Sequence, residues 1–239
     1  MSKQEKTPTA APRGRRGGSE KSRLGSVIAE TLKERVLYWD YPPGYPLGEE
    51  ALSREFAVSR SPIREALHTL EAAGLVVRMP NRTFAVRHTS PEEIKDLYDL
   101  RLALELHALD GLSLTPENRA ELEALQGSWE NISLQAWDRK TTAKADETFH
   151  ESLASLYGNQ SLMETLKSIN QRLFVFRMID FDREERRSNT AGQHATILNA
   201  LLHGDRNLAR ETLKANIAYG QQYVDNAIRD VLVRAYSKL

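Results

Sequence analysis

The 239-residue sequence predicts a mostly α-helical protein in two parts: a small N-terminal α/β module and an all-α bundle behind it. Three observations predict this. Residues 22–88 mix short helical patterns with two β-rich runs around a tight turn, whereas after Ser90-Pro91 the apolar residues recur only at helical spacing. Charge divides the same way under a formal net charge of zero. Residues 1–23 hold seven Lys/Arg against Glu5 and Glu20, residues 24–88 balance eight against eight, and residues 89–239 hold 18 basic against 23 acidic. A basic leader and an acidic C-terminal part place any contact with a polyanion in the first ninety residues.

The elements follow in order. Residues 1–21, rich in Gly, Pro, Ser and Arg, read as a disordered basic tail. They contain no apolar h-region, and no run approaches the roughly 18 apolar residues of a membrane span, so a cytoplasmic protein is expected. The absence of cysteine excludes disulfides, thiolate metal sites and cysteine nucleophiles. Leu24, Val27, Ile28, Leu32, Val36 and Leu37 mark a helix over 22–39, which "DYPPGYPLGEE" breaks. A short helix over 49–56 turns at "AVSRS" into a second with Pro62 in its first turn, Ile63, Ala66, Leu67 and Leu70 inward, and Gly74 at its end. "LVVRM" and "TFAVRH" around "PNR" form a hairpin. Helices are expected at about 91–112, 116–131, 136–156, 160–179, 186–203 and 205–235.

Helix, helix, turn, helix, hairpin is the order of a winged helix-turn-helix, whose third helix enters the major groove of DNA by its N-terminal end. Ser59, Arg60, Ser61 and Arg64 stand at that end, where free N–H groups face a phosphate and an arginine can pair bidentately with guanine. Arg78, Arg82 and Arg87 add positive charge on the hairpin. One serine there would be an ordinary cap, but the whole cluster reads as a DNA surface.

"VSRSPIREALHTLEAAGLV" resembles the N-terminal module of GntR-family bacterial transcription regulators, and the resemblance spans 24–88. It implies a homodimer on a pseudo-palindromic operator in double-stranded DNA, with Arg60 and Arg64 on bases and phosphates and Ser59 and Ser61 on the backbone. Two positions depart from the family pattern. Thr83 stands where a glycine usually follows the basic residue of the wing, and Glu50 where some relatives carry an arginine.

In the helical half, polar residues interrupt apolar stripes. Asp146 and His150 are four apart and share a face with Phe149 and Leu153; His194 lies with Ile197, Leu198 and Leu201. Asn216 lies with Leu213 and Ile217, and Arg101 with Ile94, Leu97, Leu104 and Ala108. Buried polar groups without partners cost roughly 1–3 kcal/mol each, so their convergence needs a shared explanation. A carboxylate and two imidazoles can hold a divalent metal: zinc first, with nickel or manganese as alternatives. A lone histidine on such a stripe is more often a hydrogen-bonded core residue. Arg101 can form a salt bridge to a carboxylate of its own helix such as Glu105.

"DETFHESLASLYGNQSL" followed by "HATILNALLHGDRNLARETLKANI" resembles the FCD effector domain of the FadR-type branch, over about 90–235. The resemblance implies a metal held by Asp146, His150 and His194, with Asn216 where many members place a final histidine. It also implies a small organic acid as effector, its carboxylate near Arg101, and repression as the common output. The expected domains are thus a basic tail over 1–21, a winged helix-turn-helix over 22–88 and an effector domain over 90–235. A metal-free regulator of an acyl or aromatic ligand is the alternative. A metal-dependent hydrolase lacks an evident general base beside the three ligands, and no turnover is expected.

Overall fold

The computed structural model describes residues 16–133 and 138–222. The N-terminal module runs α1 (Arg16–Leu37), β1 (Pro46–Leu47), α2 (Glu49–Glu55), α3 (Arg60–Ala72), β2 (Val76–Arg78) and β3 (Phe84–Val86). The bundle follows as α4 (Pro91–Gly111), α5 (Pro116–Ser133), α6 (Arg139–Ser155), α7 (Gln160–Asp180), α8 (Glu184–Leu202) and α9 (Arg206–Gln222). This is the winged helix-turn-helix followed by an all-α bundle that the sequence predicts. No helix among the described residues is long and apolar enough to cross a membrane.

The module folds around Ile28, Leu32, Ile63, Leu67 and Leu70, contributed by α1 and α3 and closed by Leu47 and Phe84 of the sheet. Gly74 takes a φ of +70°, the left-handed conformation that ends a helix cheaply in glycine. The wing is a three-stranded antiparallel sheet in the order β1-β3-β2, with Leu47 opposite Phe84 and Val76 opposite Val86. Strand β1 was not expected. Two residues are too few to show alternation, and Pro46 weighs against a strand except where its missing N–H faces outward.

One boundary differs from the sequence reading. Helix α1 begins at Arg16, inside the segment expected to be a disordered tail. The last proline before it is Pro12, and although Gly17 and Gly18 are poor helix formers, no proline interrupts the segment from Arg16 to Leu37. Residues 1–15 of that tail lie outside the described residues, as do 136–137 of the expected fourth-to-last helix and 223–235 of the last one.

The bundle packs α4 against α6, α7 and α9, and α8 against α5 and α9. Its core contains Ile94, Leu122, Phe149, Leu173, Ile197 and Leu213. Side-chain caps start α4 (Ser90 Oγ accepts from Glu93 N, 3.1 Å), α6 (Asp138 from Thr141 N, 2.9 Å) and α7 (Asn159 from Leu162 N, 3.0 Å).

The two units meet at the end of α1. Leu37, Tyr38 and Trp39 pack on the bundle core, with the Tyr38 ring edge-on to Phe174 at 5.8 Å. Trp39 has a φ of +61°, a conformation that costs a side-chain-bearing residue roughly 1–2 kcal/mol and persists only where packing imposes it. Nearby, Glu93 of α4 pairs with both Arg87 of the wing and Arg172 of α7.

Candidate DNA interface and metal centre

The tip of the module presents Ser59, Arg60, Ser61 and Arg64 to solvent, side by side at the start of α3. Pro62 and Ile63 are turned in at the same turn, which fixes the outward face of the other four. Ser59 occupies the N-cap position with extended backbone, yet its side chain makes no cap hydrogen bond. Ser61 Oγ instead lies 3.4 Å from Glu65. The two arginines are held by the preceding helix. Arg64 donates through Nε and Nη2 to both oxygens of Glu49, 2.8 Å each, and Arg60 donates to Glu50 at 3.2 Å. The hydrogen bond from Arg64 lowers the Glu49 carboxyl below its ordinary value despite some burial.

Arg82 is exposed at the wing tip with a φ of +65°. Thr83, in the position the resemblance assigns to glycine, donates from its N and Oγ1 to Asn81 Oδ1 at 3.1 and 2.6 Å. The left-handed turn therefore falls on Arg82, and Thr83 is locked by the asparagine. Arg78 stays on the wing, its guanidinium 6.0 Å from the Phe84 ring centre. Arg87 does not join the wing surface: it points to the bundle and donates to Glu93 at 2.7 Å.

Inside the bundle, Asp146 and His150 of α6 and His194 of α8 come together, all buried, with their ligand atoms within 4.8 Å of one another. His150 Nε2 lies 3.5 Å and His194 Nε2 3.4 Å from the same Asp146 oxygen, Oδ1. Atoms 2.0–2.1 Å from one tetrahedral ion stand about 3.4 Å apart, so the spacing fits. Asp146 Oδ1, His150 Nε2 and both nitrogens of His194 are buried without a hydrogen-bond partner. Buried orphans in native proteins call for an explanation, and this donor set could coordinate a metal ion. Burial pushes the Asp146 carboxyl up, but the two imidazoles and Arg177 hold it well below the usual range. Burial drives His194 well below its ordinary value, against the pull of Asp146. An ionised carboxylate and a neutral imidazole are the forms a metal requires.

A second layer aims these ligands. His150 Nδ1 bonds Glu105 Oε2 at 2.5 Å, which leaves Nε2 to face Asp146. Glu105 Oε1 accepts from Arg101 Nε at 2.6 Å. Burial raises the Glu105 carboxyl, yet the charges of His150 and Arg101 hold it down to about 2. Arg177 donates to Asp146 Oδ2 at 3.4 Å and to Glu147 at 3.1 Å, leaving Oδ1 as the free oxygen. His194 stacks on Phe149, ring centres 3.6 Å apart, with Trp129 at 4.3 Å.

Arg101 forms the salt bridge to Glu105 weighed from sequence, through Nε, while its Nη2 is buried and unpartnered. Asn216 is buried on α9 and donates through Nδ2 to Gln193 at 2.8 Å, next to His194 in sequence. That bond uses the amide nitrogen and leaves the carbonyl oxygen for another partner. Sequence reasoning missed the orienting part of Glu105, and it missed Arg177. A signal existed for the second, since Arg177 interrupts the apolar run "LFVFRMI".

Comparison with known proteins agrees with this division. Residues 24–86 match the bacterial regulatory proteins of the gntR family, and residues 96–219 match the FCD domain. The Nta operon transcriptional regulator of Aminobacter aminovorans is 31% identical over 68% of this chain and 77% of its own. The HTH-type transcriptional repressor RspR of Escherichia coli K12 is 23% identical over 87% of this chain and 90% of its own. A GntR transcriptional regulator from Rhodococcus sp. RHA1 superposes with a TM-score of 0.69 at 24% identity, over 86% of this chain and 99% of the other.

Proposed function

This chain belongs to the gntR family of bacterial regulatory proteins with an FCD domain, and from that membership we propose that it is a metal-dependent, effector-responsive repressor. It is a DNA-binding transcriptional regulator rather than an enzyme, with a ligand-sensing helical domain. The finer reading is ours. It acts as a homodimer, each module reading one half of a pseudo-palindromic operator. Arg60 and Arg64 meet base edges and phosphates, Ser59 and Ser61 the sugar-phosphate backbone, and Arg82 the neighbouring groove. Repression fits what one relative, the Escherichia coli repressor RspR, does.

The observation that carries the metal reading is the set of orphaned atoms on Asp146, His150 and His194. Those three residues would hold a divalent ion, zinc by preference, with nickel and manganese as the alternatives their chemistry admits. When bound, the ion supplies a Lewis-acidic anchor for a carboxylate. Glu105 fixes the tautomer of His150, and Arg177 fixes the rotamer of Asp146. Arg101 offers Nη2 to a small carboxylate effector, and Asn216 offers its carbonyl oxygen to the ion or the effector. Helix α4 links this site to the DNA-binding module, because it carries Arg101 and Glu105 at one level and Glu93, clasping Arg87, at its start. An effector that binds one placement of the modules better than another shifts the population toward it.

The deciding measurement is metal content after purification without chelator or histidine tag, with His194→Ala alongside. Near one metal per chain, absent from the variant, is the expected result. No metal in either, even after incubation with zinc, overturns the metal reading. The aromatic walls made by Phe149 and Trp129 would then favour an acyl or aromatic ligand in a metal-free pocket.

A further inference from the structure

Between the DNA-binding module and the bundle lies a cavity of ≈ 460 Å³, apart from the Asp146–His150–His194 cluster. Its walls come from both units. Leu37 and Trp39 stand at the end of α1, Leu75 and Val86 on the wing side, and Val175 and Phe176 on α7. Protein interiors leave few voids larger than a water molecule, and ligand pockets start at roughly 300 Å³ and favour domain interfaces. Apolar side chains make most of its wall, with polar residues such as Thr89, Ser90 and Gln171 along the rest.

One edge is charged. Arg87 from the wing and Arg172 from α7 converge there on a single carboxylate, Glu93, and all three line the cavity. Two guanidinium groups against one carboxylate leave an excess of one positive charge at the mouth of an apolar space. The complement is a molecule with an apolar body and one negative end. Trp39, in its left-handed conformation at the junction, forms part of the wall, so an occupant would touch a residue that packs between the two units.

We propose that this interdomain cavity is a second small-molecule site, specific for an apolar monoanion such as an aromatic or medium-chain carboxylate. Its anionic end meets Arg87 and Arg172 beside Glu93, and its body lies between α7 and the wing. Because the occupant touches both units, it favours the placement of the module seen here over any that opens the cavity. The site does not depend on the metal reading.

The test uses the full chain and two fluorescent probes, anionic 1-anilinonaphthalene-8-sulfonate and neutral N-phenyl-1-naphthylamine. Both should saturate at one per chain. Arg172→Gln and Arg87→Gln should each weaken the anionic probe about tenfold and leave the neutral one within about twofold, the scale of one charge-assisted contact. Thr89→Trp, which fills the cavity from its lining, should abolish both. His194→Ala, in the other site, should change neither by more than about twofold. Melting curves verify that each variant is folded. If Thr89→Trp fails to fold, the two arginine variants decide alone. The proposal is overturned if no probe saturates, if the anionic probe ignores both arginines, if binding survives a folded Thr89→Trp, or if His194→Ala removes it.

Discussion

The two halves of this chain treat charge in opposite ways. At the tip of α3 every arginine is exposed and already partnered: Arg64 by Glu49, Arg60 by Glu50. Around Asp146 in the bundle the charges are buried and only half partnered, with Arg101 Nη2, Arg177 Nε and Asp146 Oδ1 left over. Exposed pairs trade partners at little cost, because water competes for both groups throughout. Buried groups have no such substitute, and each orphan costs roughly 1–3 kcal/mol. A surface that must exchange glutamates for phosphates is built from the first kind. A pocket that must discriminate one small ligand is built from the second.

The largest effect should separate the halves on stability. Glu105→Ala removes the shared partner of Arg101 and His150 and leaves a buried charge, which costs about 3–5 kcal/mol. Glu49→Ala should leave the urea midpoint unchanged. The contrast fails if the two variants unfold alike. It also has a pH signature. Glu105 titrates at about 2 in the fold against an ordinary 4.5, so its contribution is complete above pH 4.5 and fades as pH falls towards 2. Stability of the Glu105→Ala protein should therefore fall less steeply through that window.

Zinc at a hundredfold excess over its Kd should stabilise the wild type by about 2.7 kcal/mol. Asp146→Ala should lose that gain, and a melting temperature that ignores zinc in the wild type would count against the centre. On the DNA side, Arg64→Ala should cost about 1–3 kcal/mol of affinity for an operator selected from random sequence, with relaxed base preference. Fluorescence anisotropy measures it, and an undiminished affinity removes Arg64 from the interface. The smallest effect concerns Glu50. Glu50→Gln should tighten binding a few-fold at low salt, since Arg60 no longer leaves a carboxylate to reach DNA.

Much of this was legible in the sequence where the signal is local. Helical spacing located the inward face of α3, and a glycine and a proline marked its ends. The four-residue step from Asp146 to His150 placed both on one face, and His194 on its own stripe joined them. What was not legible depends on contacts far apart in the chain. Glu105 meets His150 across 45 residues, and Arg177 meets Asp146 across 31. Arg87 follows the wing in sequence, but the bundle supplies its partner. The cavity between the units has no sequence pattern, since its apolar walls and its charged edge are brought together from α1, the wing, the start of α4 and α7.

The unfilled cap of α3 has one more consequence. Three helices of the bundle start with a side chain closing over the first turn: Ser90, Asp138 and Asn159. Ser59 stands in the same position and closes over nothing. On the proposed reading, the first turn of α3 is finished by a phosphate of the operator backbone, since free N–H groups at a helix start attract an anion. Amide protons at the start of α3 should then exchange quickly in the free protein and slowly on DNA, the phosphate standing in for the missing cap.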